Sequence, residues 1–179
     1  MRREAAVHLE DLPGWANTAV GDSLSELHSL DERIAEYDRH VVLMAREDQR
    51  SQALMGLPGI GSTTASALVS TIGNARDFRN GRQLAAWLGL VPGQYSSGGK
   101  TRLGSITKAG DGYLRTLLVL GAKAVLAAAK SKDDRLSRWA IALEERRGYW
   151  KAVVAIAAKN ARIAWAVLAK GENFKPLEA

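Results

Sequence analysis

Between Val91 and Gly110 the chain gathers hydroxyls, glycines and cations in one stretch: Val91-Pro92-Gly93-Gln94-Tyr95-Ser96-Ser97-Gly98-Gly99-Lys100-Thr101-Arg102-Leu103-Gly104-Ser105-Ile106-Thr107-Lys108-Ala109-Gly110. A serine placed there can hydrogen-bond a phosphate or attack one. Attack needs assistance, because a hydroxyl is a weak nucleophile near neutral pH and no histidine follows His40 to act as its base. Activation would fall to arginine or lysine, or to a metal held elsewhere. Residues 76–123 carry eight Lys/Arg (Arg76, Arg79, Arg82, Lys100, Arg102, Lys108, Arg115 and Lys123) against Asp77 and Asp111, a local balance of +6 that suits a phosphate track. If six of these cations met phosphates on duplex DNA, log affinity would fall against log salt with a slope of about −5.

A second candidate lies just upstream, in Leu54-Met55-Gly56-Leu57-Pro58-Gly59-Ile60-Gly61-Ser62-Thr63-Thr64-Ala65. It matches part of a nucleotide-binding loop but lacks the lysine, which is Ser62 here, and Thr64 stands where a dinucleotide fingerprint needs its third glycine. ATP and NAD are therefore disfavoured. What remains is a short helix, a tight turn set by Pro58 and Gly59, and a second helix starting near Ser62 with Ala65, Leu68, Val69 and Ile72 on one face and Gly73 as its stop. This resembles the helix-hairpin-helix motif of DNA-binding proteins, in which backbone amides at a helix start receive one phosphate. Gly59, Gly61, Ser62 and Thr63 are the candidate contacts. The alternative is that the glycines only let two helices pack closely.

Other chemistries fall away on residue type. With Cys 0 there is no thiolate metal site and no disulfide, and His8, His28 and His40 repeat no known ligand spacing. Asp133-Asp134 and Glu144-Glu145 are paired in sequence, but adjacent helix positions diverge, and Asp134 with Arg138 is an ordinary surface pair. No metal site is expected within this chain.

The elements that would position these residues are helical. Hydrophobic content of 46% with 25% charged residues suits one soluble domain of 179 residues, and low aromatic content of 6% beside abundant alanine leans towards helix. Residues 1–50 hold six Lys/Arg against eleven Asp/Glu, a balance of −5, while residues 51–179 hold nineteen against eight, a balance of +11. That division marks an acidic arm, 1–50, and a basic helical domain, 51–179. In the arm, Pro13 to about Glu47 reads as one long helix whose Leu27, Leu30, Ile34, Tyr37, Val41 and Met44 alternate three and four apart, a coiled-coil seam that calls for a partner helix. Ser23 and Glu26 have capping-box spacing, so the helix could also restart after Gly21. In the basic domain, helices are expected from Asn80 to Leu88 with Leu84, Trp87 and Leu88 inward, from Asp111 to about Lys130, from Asp133 to Arg147, and from Trp150 to Lys170 before Gly171. Tyr95, Thr101, Leu103 and Ile106 fit a small hairpin around Gly98-Gly99. The fold class is thus all-α, with a helix-hairpin-helix motif, a small β-hairpin and a long N-terminal coiled-coil helix. The uncharged run Ser51 to Ala75 is broken by Pro58 and glycines and is no membrane helix, and Arg2-Arg3 is not followed by a signal-peptide core, so the expected setting is cytoplasmic with no membrane partner.

Taken together, these residues resemble the C-terminal transposase domain of the IS one-ten family of bacterial insertion sequences. The resemblance runs through Leu57-Pro58-Gly59-Ile60-Gly61, Ala65, Phe78, Gly81-Arg82, Leu84-Ala85-Ala86-Trp87-Leu88-Gly89-Leu90-Val91-Pro92, Ser96-Ser97-Gly98-Gly99-Lys100, Ile106-Thr107-Lys108-Ala109-Gly110-Asp111 and Tyr113-Leu114-Arg115. It covers 50–176, and the acidic arm is similar to the coiled-coil segment that precedes this domain in the family. The resemblance implies a recombinase in which a serine becomes covalently joined to DNA. That role falls on the serine before glycine, Ser97, with Ser96 as the alternative. Ser96, Lys100, Arg102, Lys108 and Arg115 join the hairpin residues as expected DNA contacts. Family members also carry an upstream RuvC-like domain with four acidic Mg ligands, and use a bridge RNA to choose target and donor DNA. No counterpart of that domain is found in the arm, so the chain reads as a C-terminal fragment or a truncated frame with no cofactor of its own. The resemblance further implies homo-oligomerisation through the arm. Two other functions stay open, a non-catalytic helix-hairpin-helix DNA-binding module and a coiled-coil assembly domain.

Overall fold

The computed structural model describes residues 12–95, 99, 100, 102–171 and 174. Among them are seven α-helices, one 3-10 turn and a two-stranded antiparallel ribbon, so the fold is all-α with one small hairpin. The chain forms two compact units, Met1–Leu43 and Met44–Ala179.

Helix α1, Gly14–Glu47, begins where the Pro13 carbonyl accepts the amides of Ala16 at 2.8 Å and Asn17 at 2.9 Å. It runs unbroken through Gly21. Ser23 does not cap a restart: its hydroxyl donates to the Ala19 carbonyl at 2.8 Å, a bond that leaves the helix intact. Leu27, Leu30, Ile34, Tyr37 and Met44 are exposed, and Ala45 is the one buried residue of the helix.

In the second unit, α2 (Gln49–Met55) is started by Asp48, whose carboxylate accepts the Arg50 amide at 2.8 Å and pairs with the Arg50 guanidinium at 3.0 Å. The Arg50 hydrogen bond holds the Asp48 carboxyl below its usual range. Helix α3, Ser62–Ile72, buries Ala65, Leu68, Val69 and Ile72, the face its periodicity indicates, and ends at Gly73 with φ of +61°. After a 3-10 turn, Ala75–Asp77, α4 spans Gly81–Trp87, with the Asn80 side chain accepting the amides of Arg82 at 3.0 Å and Gln83 at 3.1 Å. Leu84 and Leu88 are buried as their spacing suggests, but Trp87 is 39% exposed and lies edge-on to Phe78; the residue that turns inward is Ala85. The ribbon follows, β1 (Pro92–Gln94) pairing with β2 (Leu103–Ile106).

Three helices close the unit: α5 (Gly112–Ala129), α6 (Arg135–Arg147) and α7 (Tyr149–Lys170). Helix α7 packs against α2, α4, α5, α6 and the 3-10 turn, so it is the axis of the core. It can be so widely surrounded because small residues line it: Ala152, Ala157, Ala161 and Ala164 are fully buried and let neighbouring backbones approach. By length and composition α5 and α7 could each cross a membrane; in this fold they pack on one another in the core. Asp134 does not pair with Arg138. It caps α6, accepting the Ser137 hydroxyl at 2.6 Å and the amides of Leu136 and Ser137, and the Ser137 hydroxyl bond lowers its carboxyl from the ordinary value. Asp133 instead lies 3.6 Å from Arg138.

One buried polar side chain on α7 has no counterpart in the sequence expectations. Asn160, 1% exposed, donates its amide to the Pro58 carbonyl at 2.9 Å, tying the turn after α2 to the core. Replacing it by leucine is expected to lower stability by about 1–3 kcal/mol, because the Pro58 carbonyl loses its donor where water cannot easily reach it. Thermal melts check this, and an unchanged midpoint would mean the bond does not hold the turn.

Candidate nucleic-acid interface

The ribbon stands on a frame made of backbone. Gly89 has φ of +71° and an added Cβ would meet the Ala109 carbonyl oxygen at 2.2 Å; at Gly110, with φ of +84°, it would meet the Trp87 carbonyl oxygen at 1.8 Å. Only glycine allows these two crossings. Between them the Lys108 amide donates to the Gly89 carbonyl at 3.2 Å and the Thr107 amide to the Val91 carbonyl at 2.9 Å. Arg115, from the first turns of α5, completes the frame, its Nη1 donating to the carbonyls of Leu88 at 3.1 Å and Ala109 at 3.4 Å. Arg115, expected among the DNA contacts, makes this clasp on the base of the loop.

Above the frame, Pro92 opposes Ile106 and Gln94 opposes Leu103, so β2 carries one more residue than β1 between the two pairs. Such a bulge strengthens the local twist. The Tyr95 amide donates to the Arg102 carbonyl at 2.9 Å, and the Tyr95 ring is 77% exposed, with its Cε2 3.2 Å from where a Gly104 Cβ would stand. Lys100, Arg102 and Lys108 are exposed. Lys108 is, among the described residues, the only non-glycine at positive φ, 54°. A side chain there costs about 1–2 kcal/mol against the ordinary helical region, and the glycine frame around it fixes the backbone in that form. Ser96 and Ser97 lie outside the described residues. Their neighbours therefore carry the geometric argument.

The turn between α2 and α3 divides the glycines into two kinds. Gly59, at φ of +80°, is pressed on α5: a Cβ would stand 2.6 Å from the Gly121 carbonyl oxygen and 2.7 Å from Val125 Cγ2, and a Cβ on Gly121 would stand 1.9 Å from the Gly59 carbonyl oxygen. Close helix packing is what Gly59 does. Gly61 is exposed with open space around its α-carbon, and it begins α3 with no side-chain cap. Thr63 is exposed and Ser62 half-buried at that start, so first-turn amides lie at the surface where an anion would find the positive end of the helix dipole.

The residues that sequence reasoning missed are Gly121 and Asn160, which set the turn, and Trp165, whose indole donates to the carbonyls of Ala75 at 2.9 Å and Phe78 at 3.1 Å and so fixes the start of α4. A glycine inside an otherwise good helix was the available signal for Gly121, since it costs about 1 kcal/mol against alanine unless packing demands it. Among the described residues, no three His, Asp or Glu side chains gather where a metal could sit.

Residues 51–137 match the transposase family described as IS116/IS110/IS902. The chain is 47% identical over 165 residues to a "Probable family 20 transposase" of Pseudomonas aeruginosa, with 92% of this chain and 49% of that protein covered. It is 42% identical to the transposase for insertion sequence element IS1111A of Coxiella burnetii, over 84% of this chain and 42% of that one, and 37% identical to the transposase for insertion sequence element IS1328 of Yersinia enterocolitica, over 84% and 46%. The chain spans about half the length of these curated relatives or less.

Proposed function

From the premise that the chain belongs to the IS116/IS110/IS902 transposase family, we propose that it is the DNA-engaging, serine-bearing part of an insertion-sequence transposase. The observation that carries this is the ribbon: Lys100, Arg102 and Lys108 are exposed around a loop whose base is held by backbone crossings no other residue type would permit. A basic ribbon whose base is fixed can receive a sugar-phosphate strand with less ordering there. The start of α3 supplies a second phosphate contact in the manner of a helix-hairpin-helix motif, through the amides at Ser62 and Thr63 and the open backbone at Gly61.

In the complete protein the Ser97 hydroxyl, or Ser96 in its place, attacks a backbone phosphorus; the new Oγ–P bond replaces a P–O bond to a sugar, the hydroxyl proton leaves, and the released sugar oxygen takes one up. Among the described residues no donor set fits a divalent metal; Mg is assigned to carboxylates of the upstream domain, and target choice to a bridge RNA bound by the complete protein. This chain alone accordingly binds nucleic acid without cleaving it efficiently.

Salt dependence tests the interface. Wild-type chain on duplex DNA is expected to show a slope of log affinity on log salt of about −5, and the triple variant Lys100→Gln/Arg102→Gln/Lys108→Gln a slope less steep by nearly 3, at about 0.9 per phosphate contact. Binding that is absent, or indifferent to salt, would overturn the proposal.

A second role rests on α1. Its exposed Leu27, Leu30, Ile34 and Tyr37 repeat three and four apart on one face, which supports pairing with the same helix of a second copy. Sedimentation equilibrium of the chain is expected to give a homo-oligomer that Leu30→Asp/Ile34→Asp converts to monomer; a monomeric wild type would sink this assignment. A salt-insensitive protein that nonetheless forms a stable dimer would favour an assembly domain over a DNA-binding one.

A further inference from the structure

A second group of cations lies where α4 meets α7. A cleft of about 310 Å³ is lined by Asn80, Gly81, Arg82, Arg162, Trp165 and Ala166, and includes no residue of the ribbon. It exists because α4 rests directly on α7: a Cβ on Gly81 would meet the Arg162 carbonyl oxygen at 2.7 Å and its Cα at 2.8 Å, so the two helices meet backbone to backbone with Arg82 and Arg162 at the seam. Among the described residues, the Arg162 guanidinium donates through its Nε, to the Ala158 carbonyl at 3.2 Å. One turn earlier on α7, Lys159 sits 4.5 Å above the Trp139 ring of α6, which positions its ammonium.

Among the described residues no carboxylate pairs with Arg82, Arg135, Lys159 or Arg162. The two nearest in sequence are taken, Asp133 by Arg138 and Asp134 by the cap of α6. Burial, then the charges of Arg162 and Arg135, pull the Lys159 ammonium below its usual range. Like charges held together without counter-charges raise the free energy of the empty protein and lower it when an anion arrives.

We propose that the α4–α7 cleft, with Arg82 and Arg162 on its walls and Lys159 and Arg135 continuing it, is a second seat for a phosphodiester backbone. The seat takes phosphates: its donors are guanidinium and ammonium groups, and their contacts to backbone phosphates fix a strand in place without reading its sequence. It rests on the nucleic-acid reading of the ribbon and extends it to a strand, or a segment of one, that the ribbon does not hold.

The test uses the full chain and two probes, a duplex DNA of arbitrary sequence and a single-stranded RNA of equal length, titrated over a range of salt. Arg82→Gln/Arg162→Gln is expected to make the duplex slope less steep by about 2, at about 0.9 per lost contact, while Arg82→Lys/Arg162→Lys keeps the wild-type slope. A loss seen with the RNA alone would assign the seat to RNA, and with the duplex alone to DNA. Circular dichroism melts matching wild type show that the variants are folded; if the Gln pair loses stability, the Lys pair and the single Lys159→Gln variant decide by the same slope. Unchanged slopes for both probes, beside a reduced slope for the ribbon variant, would overturn the second seat and leave the ribbon standing. Binding by wild type that is insensitive to salt would end both.

Discussion

Gly121→Ala is expected to destabilise the domain by about 3 kcal/mol, the upper part of the range for overfilling a packed interior. The added methyl carbon would lie 1.9 Å from the Gly59 carbonyl oxygen, which is main chain and has no rotamer to change. For a domain of this size about 3 kcal/mol lowers the melting temperature by about 10 °C. Gly59→Ala should be at least as damaging, since the residue sits at φ of +80° and its Cβ would also strike Val125. Gly61→Ala is the internal control. It has nothing within 4 Å of the added carbon and an extended φ of −93°, so its melt should move little. Differential scanning calorimetry on the three variants checks the order, and equal effects at 61 and 121 would contradict the packing described for the turn.

The second large effect is chemical. In a protein that joins this chain to a metal-bearing carboxylate domain, Ser97→Ala is expected to abolish covalent capture of DNA and strand transfer, a loss of up to about a millionfold if the serine acts as nucleophiles do in other enzymes. Duplex binding and its salt slope should be unchanged, because a serine hydroxyl carries no charge to release counterions. Ser96→Ala separates the two neighbours: if it alone removes the adduct, the nucleophile is Ser96. Retained strand transfer in both variants would leave a DNA-binding module with no covalent step. Covalent capture of nicked or supercoiled DNA by the present chain alone, lost on Ser97→Ala, would instead mean that no partner carboxylates are required.

Much of the architecture could be read from periodicity and punctuation. Asp111 does cap α5, accepting the Leu114 amide at 2.9 Å, and Gly171 does stop α7. These features are local, decided by a few residues in a row, and so are visible in sequence. The frame under the ribbon was not visible, because Gly89 and Gly110 lie far enough apart in sequence that only the folded chain shows them crossing Ala109 and Trp87. Cations posed the harder problem. Arg115 and Lys108 look alike in a charge tally, yet one guanidinium is engaged by two carbonyls while the other residue is exposed at the surface. The helix-start residues divided in the same way, Gly59 going to packing and Gly61 to an open backbone, since two glycines in one turn carry identical sequence signals and differ only in what lies opposite them.

Helix α5 links the two proposed phosphate contacts into one measuring rod. Its first turns, capped by Asp111, hold the base of the ribbon through Arg115, and Gly121 receives the interhelical turn that precedes α3. From 111 to 121 the helix advances about 15 Å at 1.5 Å per residue, close to the length of four or five base pairs. A nucleic acid gripped at both places is therefore gauged by a rigid spacer, and one alanine inserted between 115 and 121 would turn one grip by about 100° relative to the other without touching a residue of either.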